Sequence, residues 1–154
     1  GKVSGPPKTI DGGHVFFSIE DQGNEIRCAA FEPTREFRKV IRKLAVGDRV
    51  RVVGGVKEKS EHPLTINLEK IEIMELRPVK KEVNPSCGGC GKRMKSAGQG
   101  KGYYCEKCGI ELPSGSSEKI EKDRKLEEKL YEVPPRARRH LAKPIVRDKN
   151  QDND

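Results

Sequence analysis

Four cysteines are the residues of this sequence whose type and spacing could do chemistry. They form two Cys-x-x-Cys pairs, each followed by a glycine: Cys87 with Cys90, and Cys105 with Cys108. The two-residue gap lets both thiolates of a pair face one ion, and Gly91 and Gly109 permit the backbone to turn beneath the sulfurs. Four thiolates complete a tetrahedral zinc site and leave no open position for a substrate. The pattern therefore predicts a structural zinc (Zn2+) ribbon.

Disulfide bonds, a thioredoxin-like redox pair and a rubredoxin-type iron centre are the alternatives for these four cysteines. No βαβ pattern surrounds either pair and no signal peptide is recognised, so the first two alternatives are less favoured. Iron can share the four-thiolate geometry, and the spacing leaves it open. The fifth cysteine, Cys28, falls on an inward-facing strand position, where we expect an inert buried thiol.

Basic side chains lie between the two cysteine pairs, namely Lys92, Arg93, Lys95 and Lys101. Part of this charge compensates the thiolates, and the surplus could face phosphates. The whole chain has a formal net charge of +8 and a pI of about 9.3. These values favour a polyanionic partner such as nucleic acid, although charge alone leaves a merely soluble basic protein equally open.

The composition indicates small modules rather than one large core. Of the 154 residues, 32% are hydrophobic and 36% are charged, which is too polar for one continuous core. A module of a few dozen residues needs a metal to fold, in agreement with the cysteine pattern. No apolar run approaches the length needed to cross a bilayer, so we expect a soluble cytoplasmic protein without a membrane partner. Because the first residue is Gly1, we expect a piece of a longer chain.

The first part of the chain predicts strands that could present a nucleic-acid-binding face. Residues 14–20 and 25–31 alternate in polarity and are joined by a tight turn. In this phase Phe16, Arg27 and Phe31 lie on the face opposite the core. Bases could stack there, or another layer of the protein could cover the face.

The order of the predicted elements is that of an OB barrel. Three strands precede a helix capped by Thr34, and two strands follow it, the last with a bulge near Glu69 and Lys70. An SH3-like barrel would lack a helix at that position. We therefore predict a mainly β protein: a five-stranded OB-type barrel with one helix over 1–77, a linker over 78–84 and the zinc ribbon over 85–112.

The remaining residues, 113–154, are predicted to form a charged helix and a basic C-terminal tail. The helix is expected over Glu118 to Tyr131, and three arginines follow it: Arg136, Arg138 and Arg139. This arm could contact phosphate, dock on a domain absent from this chain, or remain a solvated tail. A basic barrel joined to a basic ribbon suits nucleic acid, and the sequence contains no nucleophile–base pair or phosphate-cradling glycine motif.

Several stretches of the sequence resemble one family. They are Gly12 to Asp21, Cys28 to Thr34, Asn67 to Ile71, Cys90 to Ser96 and Pro135 to Pro144. Together they resemble the C-terminal half of the archaeal tRNA-isoleucine 2-agmatinylcytidine synthetases (TiaS). The last two stretches are the more specific ones.

The resemblance implies an ATP-dependent ligase that attaches agmatine to the wobble cytidine of an isoleucine tRNA. It implies that the catalytic domain, with its ATP and agmatine, lies upstream and outside this chain. The present modules would then hold the tRNA away from the anticodon, around the acceptor arm. Two other classes stay open: a stand-alone RNA or single-stranded DNA binder of the exosome-cap kind, and a protein-docking scaffold.

Overall fold

The computed structural model describes residues 1–59, 62–138 and 143–148. It divides the chain into two compact units. The barrel unit is Gly1–Arg77 with Arg124–Asp154, and the ribbon unit is Pro78–Asp123. Within the described ranges, no helix is long and apolar enough to cross a membrane.

The secondary structure is mainly β, which confirms the predicted fold class. The barrel unit contains β1 (Lys2–Thr9), β2 (Val15–Asp21), β3 (Asn24–Ala30), α1 (Glu36–Ile41), β4 (Arg49–Lys59) and β5 (His62–Glu75). The ribbon unit contains β6 (Lys80–Val83), β7 (Lys95–Ser96), β8 (Tyr103–Tyr104), β9 (Glu111–Leu112) and β10 (Glu118–Glu121). The chain then returns to the barrel unit with β11 (Leu130–Glu132) and α2 (Ile145–Asp148).

Strands β1 to β5 close on themselves as an OB barrel. The strand β1 pairs with β2, β2 with β3, β3 in parallel with β5, and β5 with β4. A pairing of Lys2 with Arg49 joins β4 back to β1. The alternation in β2 buries Val15, Phe17 and Ile19, as the sequence pattern predicted. In the pairing of β4 with β5, Val53 lies opposite Lys70 and Gly54 opposite Leu68. Glu69 is therefore the extra residue of a bulge, at the predicted position.

The barrel helix is shorter than its apolar stripe and begins without the predicted cap. Phe37 and Ile41 are buried from α1 and Leu44 from the turn after it. The Thr34 hydroxyl donates to the Phe31 carbonyl at 2.7 Å instead of capping the helix. Arg35 occupies the N-cap position with a φ of 39°. The stripe was therefore predicted correctly, while the Thr34 cap was wrong.

The predicted helix over Glu118 to Tyr131 was also wrong. Its first residues form β10, which pairs with β6 from the predicted linker, and its last residues belong to β11. Ile120 is half-buried at an alternating strand position, and Lys125 has a φ of 46°. Partners more than thirty residues away in sequence outweigh the local helix propensity here.

Residues 124–138, here called the strap, complete the barrel unit. The strand β11 extends the sheet at β5, beside Lys70, Ile71 and Glu72. Val133 is buried in the barrel core, and Leu126, Tyr131 and Ala137 pack against it. The core of the OB fold is therefore built from two separate stretches of the chain.

A buried ion pair fastens the start of the strap. The Arg124 guanidinium donates to both oxygens of the Asp48 carboxylate, at 2.6 and 2.9 Å. The same carboxylate accepts hydrogen bonds from the backbone N–H groups of Ala45 and Arg77. The Asp48 side chain is 0% exposed and that of Arg124 is 9% exposed. One carboxylate thus holds both Arg77 and Arg124, the residues at which the chain leaves and re-enters the barrel unit.

Candidate metal centre and nucleic-acid interface

The structure brings the four predicted cysteines together in the ribbon unit. Their Sγ atoms all lie within 4.8 Å of one another, and those of Cys90 and Cys105 are 3.6 Å apart. Zinc–sulfur bonds of about 2.3 Å in a tetrahedron place neighbouring sulfurs about 3.8 Å apart. A disulfide would need a sulfur–sulfur distance of about 2.05 Å. The cluster therefore fits one tetrahedral ion and no disulfide.

The two knuckles that present these cysteines have the same backbone geometry. In the first, Gly91 N–H donates to the Cys87 carbonyl at 2.8 Å, and in the second Gly109 N–H donates to the Cys105 carbonyl at 2.8 Å. Gly91 has a φ of 70° and Gly109 a φ of 66°. Glycine occupies this left-handed region without steric cost, as the sequence predicted.

A small apolar cluster supports the knuckles. Met94 is buried with Cys87 and Cys105, and Tyr103 and Leu112 pack against them. Tyr103 and Leu112 belong to a three-stranded sheet in the order β7-β8-β9, and Met94 immediately precedes β7. Gly102 precedes β8, and a Cβ atom there would lie 2.2 Å from the Leu112 carbonyl oxygen. The sheet can therefore close behind the cysteines only with glycine at position 102.

The thiol pKa values differ within the cluster, and Cys28 lies apart from the cluster in the barrel core. Backbone N–H groups of Cys90 and Gly89 lower the pKa of the Cys87 thiol to about 7, which favours a thiolate. A hydrogen bond with Cys90, together with burial, raises the pKa of the Cys108 thiol to about 12. Burial in the barrel raises the pKa of the Cys28 thiol to about 12, so this cysteine stays protonated and unreactive.

The four predicted basic side chains of the ribbon unit fall into two groups. Lys95 pairs with Glu106 and Arg93 with Glu118, both at 2.7 Å and both at exposed positions. These two carboxylates neutralise part of the positive charge that, from the sequence, was expected to bind phosphate. Lys92 and Lys101 are exposed and make no ion pair with the part of the chain that the structure describes. Of the four predicted cations, they are the ones most available to a ligand.

The barrel places the predicted aromatic residues side by side. The Arg27 guanidinium carbon lies 4.1 Å from the centroid of the Phe16 ring, since Arg27 and Phe16 are diagonal neighbours across β2 and β3. The ring of Phe31 meets that of Phe16 edge to face, with centroids 5.8 Å apart. Phe31 is 36% exposed. A groove of about 510 Å³ opens beside these three side chains.

Sequence reasoning missed several residues of this surface. The ring of His14 lies 5.2 Å from that of Phe31, and its Nδ1 accepts a hydrogen bond from Glu32 N–H. The alternation that placed Phe16 outward also places His14 on this face, and that signal could have found it. The groove is also lined by Lys57 from β4 and by Thr65 and Asn67 from β5. These residues reach the groove only because β5 pairs with β3 and β4, which local sequence patterns do not predict.

The arginines of the predicted basic arm differ in their surroundings. Arg138 forms an ion pair with Glu132 and is mostly buried. Arg136 is exposed at the end of the strap. Arg139 lies outside the described residues. Of these three arginines, only Arg136 is shown to face solvent.

Comparison with protein-family models gives a description for each unit. Residues 1–74 match an OB-fold nucleic acid binding domain, and residues 84–126 match the TiaS C-terminal zinc ribbon domain. The chain has the OB-fold and zinc-ribbon portion of the TiaS family. The TiaS match and the four clustered cysteines together support zinc at the metal centre.

The relatives of this chain are longer TiaS proteins. The tRNA-isoleucine 2-agmatinylcytidine synthetase TiaS of Methanosarcina mazei is 54% identical over 153 residues, which are 99% of this chain and 34% of the relative. That of Archaeoglobus fulgidus is 50% identical over 147 residues, covering 96% of this chain and 33% of the relative. The chain therefore spans about a third of the length of the TiaS relatives it matches.

Solved TiaS structures share the fold. A crystal structure of apo TiaS, described as a tRNA-isoleucine agmatidine synthetase, has a TM-score of 0.74 at 48% identity and covers 96% of this chain and 34% of its own. A crystal structure of TiaS in complex with its isoleucine tRNA and ATP has a TM-score of 0.70 at 48% identity, covering 96% and 33%.

Proposed function

We propose that this chain is the tRNA-binding C-terminal module of an ATP-dependent ligase that attaches agmatine to the wobble cytidine of an isoleucine tRNA. The observation that carries the proposal is the 54% identity to a TiaS protein over 99% of the chain, because it includes both units. In this proposal ATP and agmatine bind the upstream catalytic domain, which lies outside this chain. The chain itself contributes binding, and its partners are the tRNA and that domain.

Two features of the structure support RNA binding by the barrel. Phe16 and Phe31 present aromatic surface beside Arg27, and base stacking on such surfaces tolerates any sequence. Lys57 adds positive charge to the same groove. One TiaS relative has been crystallised with its isoleucine tRNA and ATP.

Zinc has a structural role in this proposal. The ion would be bound by the thiolates of the four clustered cysteines, Cys87, Cys90, Cys105 and Cys108. Its binding would stabilise the fold of the short strands β7 to β9. Lys92, Arg93, Lys95 and Lys101 would then face tRNA phosphates. Arg136, Arg138 and Arg139 are the corresponding candidates in the tail.

We further propose that these modules hold the tRNA around its acceptor arm, away from the anticodon. The resemblance of both units to TiaS supports this part. A stand-alone single-strand binder and a protein-docking scaffold are the competing functions, and each predicts a different ligand preference.

The proposal is tested by measuring the affinity of the purified zinc-loaded chain for isoleucine tRNA. An unrelated tRNA and a single-stranded oligonucleotide serve as comparisons, each at several salt concentrations. We expect salt-sensitive binding that prefers tRNA, since phosphate contacts release counterions. Tighter binding of the oligonucleotide would favour the single-strand binder, and an absence of RNA binding would favour the scaffold.

A pair of triple variants tests the ribbon cations. The test variant changes Lys92, Arg93 and Lys95 to alanine, and the control changes Lys80, Lys81 and Lys122, which are exposed lysines of the same unit. We expect the test variant to weaken tRNA binding and to flatten its salt dependence more than the control does. Equal effects would reduce the ribbon's role to net charge, and no effect of the test variant would exclude it from the interface.

A further inference from the structure

The pair of Phe16 and Arg27 forms a ridge between two grooves on the barrel. The groove of about 510 Å³ lies on the side of Phe31, Lys57 and Asn67, and is called the Phe31 groove below. A second groove, of about 230 Å³, lies on the side of Gly5, Lys8 and Ser18, and is called the Lys8 groove. Phe16 and Arg27 line both grooves. The ridge is therefore a shared wall with an accessible site on either side.

The ridge has the chemistry of a stacking wall on both sides. The guanidinium carbon of Arg27 lies 4.1 Å from the centroid of the Phe16 ring, and flat groups of either kind stack on nucleobases. Each groove exceeds one nucleobase in volume, and each contains one lysine, Lys57 or Lys8. No carboxylate lines either groove among the residues the structure describes. Both grooves thus suit a base together with its phosphate.

We propose that the barrel binds two consecutive unpaired nucleotides, with one base in each groove and the Phe16–Arg27 ridge between the two bases. The inference rests on the proposed RNA-binding function and names the part of the RNA that the barrel takes. Paired nucleotides are excluded, because bases within a helix stack on one another and cannot separate around a wall. The phosphates of the two nucleotides face Lys8 and Lys57.

The two grooves differ in their ability to distinguish bases. Thr65 and Asn67 line the Phe31 groove, and the Thr65 hydroxyl donates to the Pro63 carbonyl at 2.8 Å, which leaves its oxygen as an acceptor. The Asn67 amide offers donors and an acceptor that match the hydrogen-bonding edge of a base. In the Lys8 groove the only uncharged polar side chain among the described lining residues is that of Ser18, which lies beside Gly5. The Phe31 groove therefore selects its base, whereas the Lys8 groove tolerates any base.

The test uses hexanucleotides of constant charge. Each has the same six-nucleotide phosphate backbone, but keeps one base, two adjacent bases, two separated bases or three adjacent bases, with the other positions abasic. Affinity for the zinc-loaded chain is measured by competition with a labelled all-base hexanucleotide. We expect a gain of tenfold or more from one base to two adjacent bases, and less than threefold from two to three. Equal affinity for one base and two, or for adjacent and separated bases, would overturn the proposal.

Variants assign the bases to the grooves. Phe16→Ala should remove the increase in affinity that each of the two bases contributes. Phe31→Ala should remove the increase contributed by one base only. Asn67→Ala should reduce discrimination among bases at one position while changing the mean affinity less than threefold. Lys39→Ala is the control, since Lys39 pairs with Glu36 on α1 and lines neither groove. Phe16→Tyr, which keeps the ring, should bind as the unaltered chain does, and weak binding by both Phe16 variants would count against the ridge.

The outcomes separate this inference from the proposed function. If tRNA binds and the hexanucleotides do not compete for it, the RNA-binding function stands and the two-nucleotide site is wrong. If neither RNA binds, both proposals fall.

Discussion

The two units of this chain hold themselves together in different ways. The barrel unit buries a continuous set of apolar side chains, among them Val15, Ile41 and Ile71. The ribbon unit buries Met94 and two of its four clustered cysteines, with Tyr103 and Leu112 at their edge. Strands of two residues cannot bury enough apolar surface to offset the entropy lost on folding. Burial of apolar surface thus stabilises the barrel unit. In the ribbon unit, the cysteine site is the only feature among the described residues that can replace such a core.

This difference determines what each unit can tolerate. Loss of one core side chain leaves a cavity in the barrel, which costs part of its stability. Loss of one cysteine removes one of the four ligands of the metal site. Because the metal stabilises the whole ribbon unit, we expect this loss to unfold the unit completely rather than in part. The predictions below test this contrast, beginning with the largest effect.

Removing the metal should unfold the ribbon unit and leave the barrel unit folded. We expect chelation, or Cys105→Ser, to abolish the dispersed NMR signals of Tyr103 and Leu112 while those of Val50 and Ile71 stay in place. The reason is that metal binding supplies the folding free energy of such a small site. A ribbon that keeps its signals without metal would contradict the contrast.

The fifth cysteine provides the matched control. Cys28→Ala lies in the barrel core and should leave the zinc content at one ion per chain. Elemental analysis of the purified variant measures this content. A loss of zinc in this variant would place Cys28 at the metal site.

Removing the buried carboxylate should cost the barrel unit most of its margin of stability. Asp48→Ala leaves the Arg124 guanidinium buried without its partner, which typically costs about 3–5 kcal/mol. Urea unfolding followed by circular dichroism measures the change in the free energy of unfolding. Glu72→Ala is the control, because it breaks the exposed pair with Arg51 and should cost less than about 1 kcal/mol.

A smaller loss is expected from the strap. Val133→Ala removes two methyl groups from the barrel core and should lower the free energy of unfolding by about 2 kcal/mol. The same urea titration measures it. Val146→Ala, at a side chain that is 71% exposed, should change nothing measurable. If both valine changes were equally harmless, the strap would not belong to the barrel core.

The smallest effect is expected at the exposed pair of the ribbon. The Glu106 carboxylate raises the pKa of Lys95, but both side chains are exposed and solvent screens their attraction. Lys95→Ala should therefore leave the melting temperature of the zinc-loaded ribbon unchanged within error, as measured by calorimetry. A clear drop in that temperature would show that surface charge, in addition to metal, stabilises this unit.

Local patterns in the sequence predicted most of the barrel and the metal centre. Strict alternation placed Val15, Phe17 and Ile19 inward and Phe16 outward, because strand geometry fixes that phase. The cysteine spacing predicted the metal cluster, since coordination chemistry fixes it without help from distant residues.

Features that depend on distant pairing could not be predicted in this way. The charged stretch after the ribbon was predicted to be a helix, yet β10 and β11 gain their structure from β6 and β5. The pair of Asp48 and Arg124 joins residues 76 positions apart. The Phe31 groove depends on Lys57 and Asn67, which strand pairing alone brings to that face.

The position of the strap after the ribbon has a consequence for synthesis of the protein. The ribosome releases the strands of the barrel first, then the ribbon, and only afterwards Leu126 and Val133. Until then the nascent barrel exposes the part of its core that Val133 covers and the edge of β5 that β11 pairs with. Such an edge is prone to pair with other chains. The newly made protein therefore passes through an aggregation-prone interval, which ends when the strap emerges and Arg124 reaches Asp48.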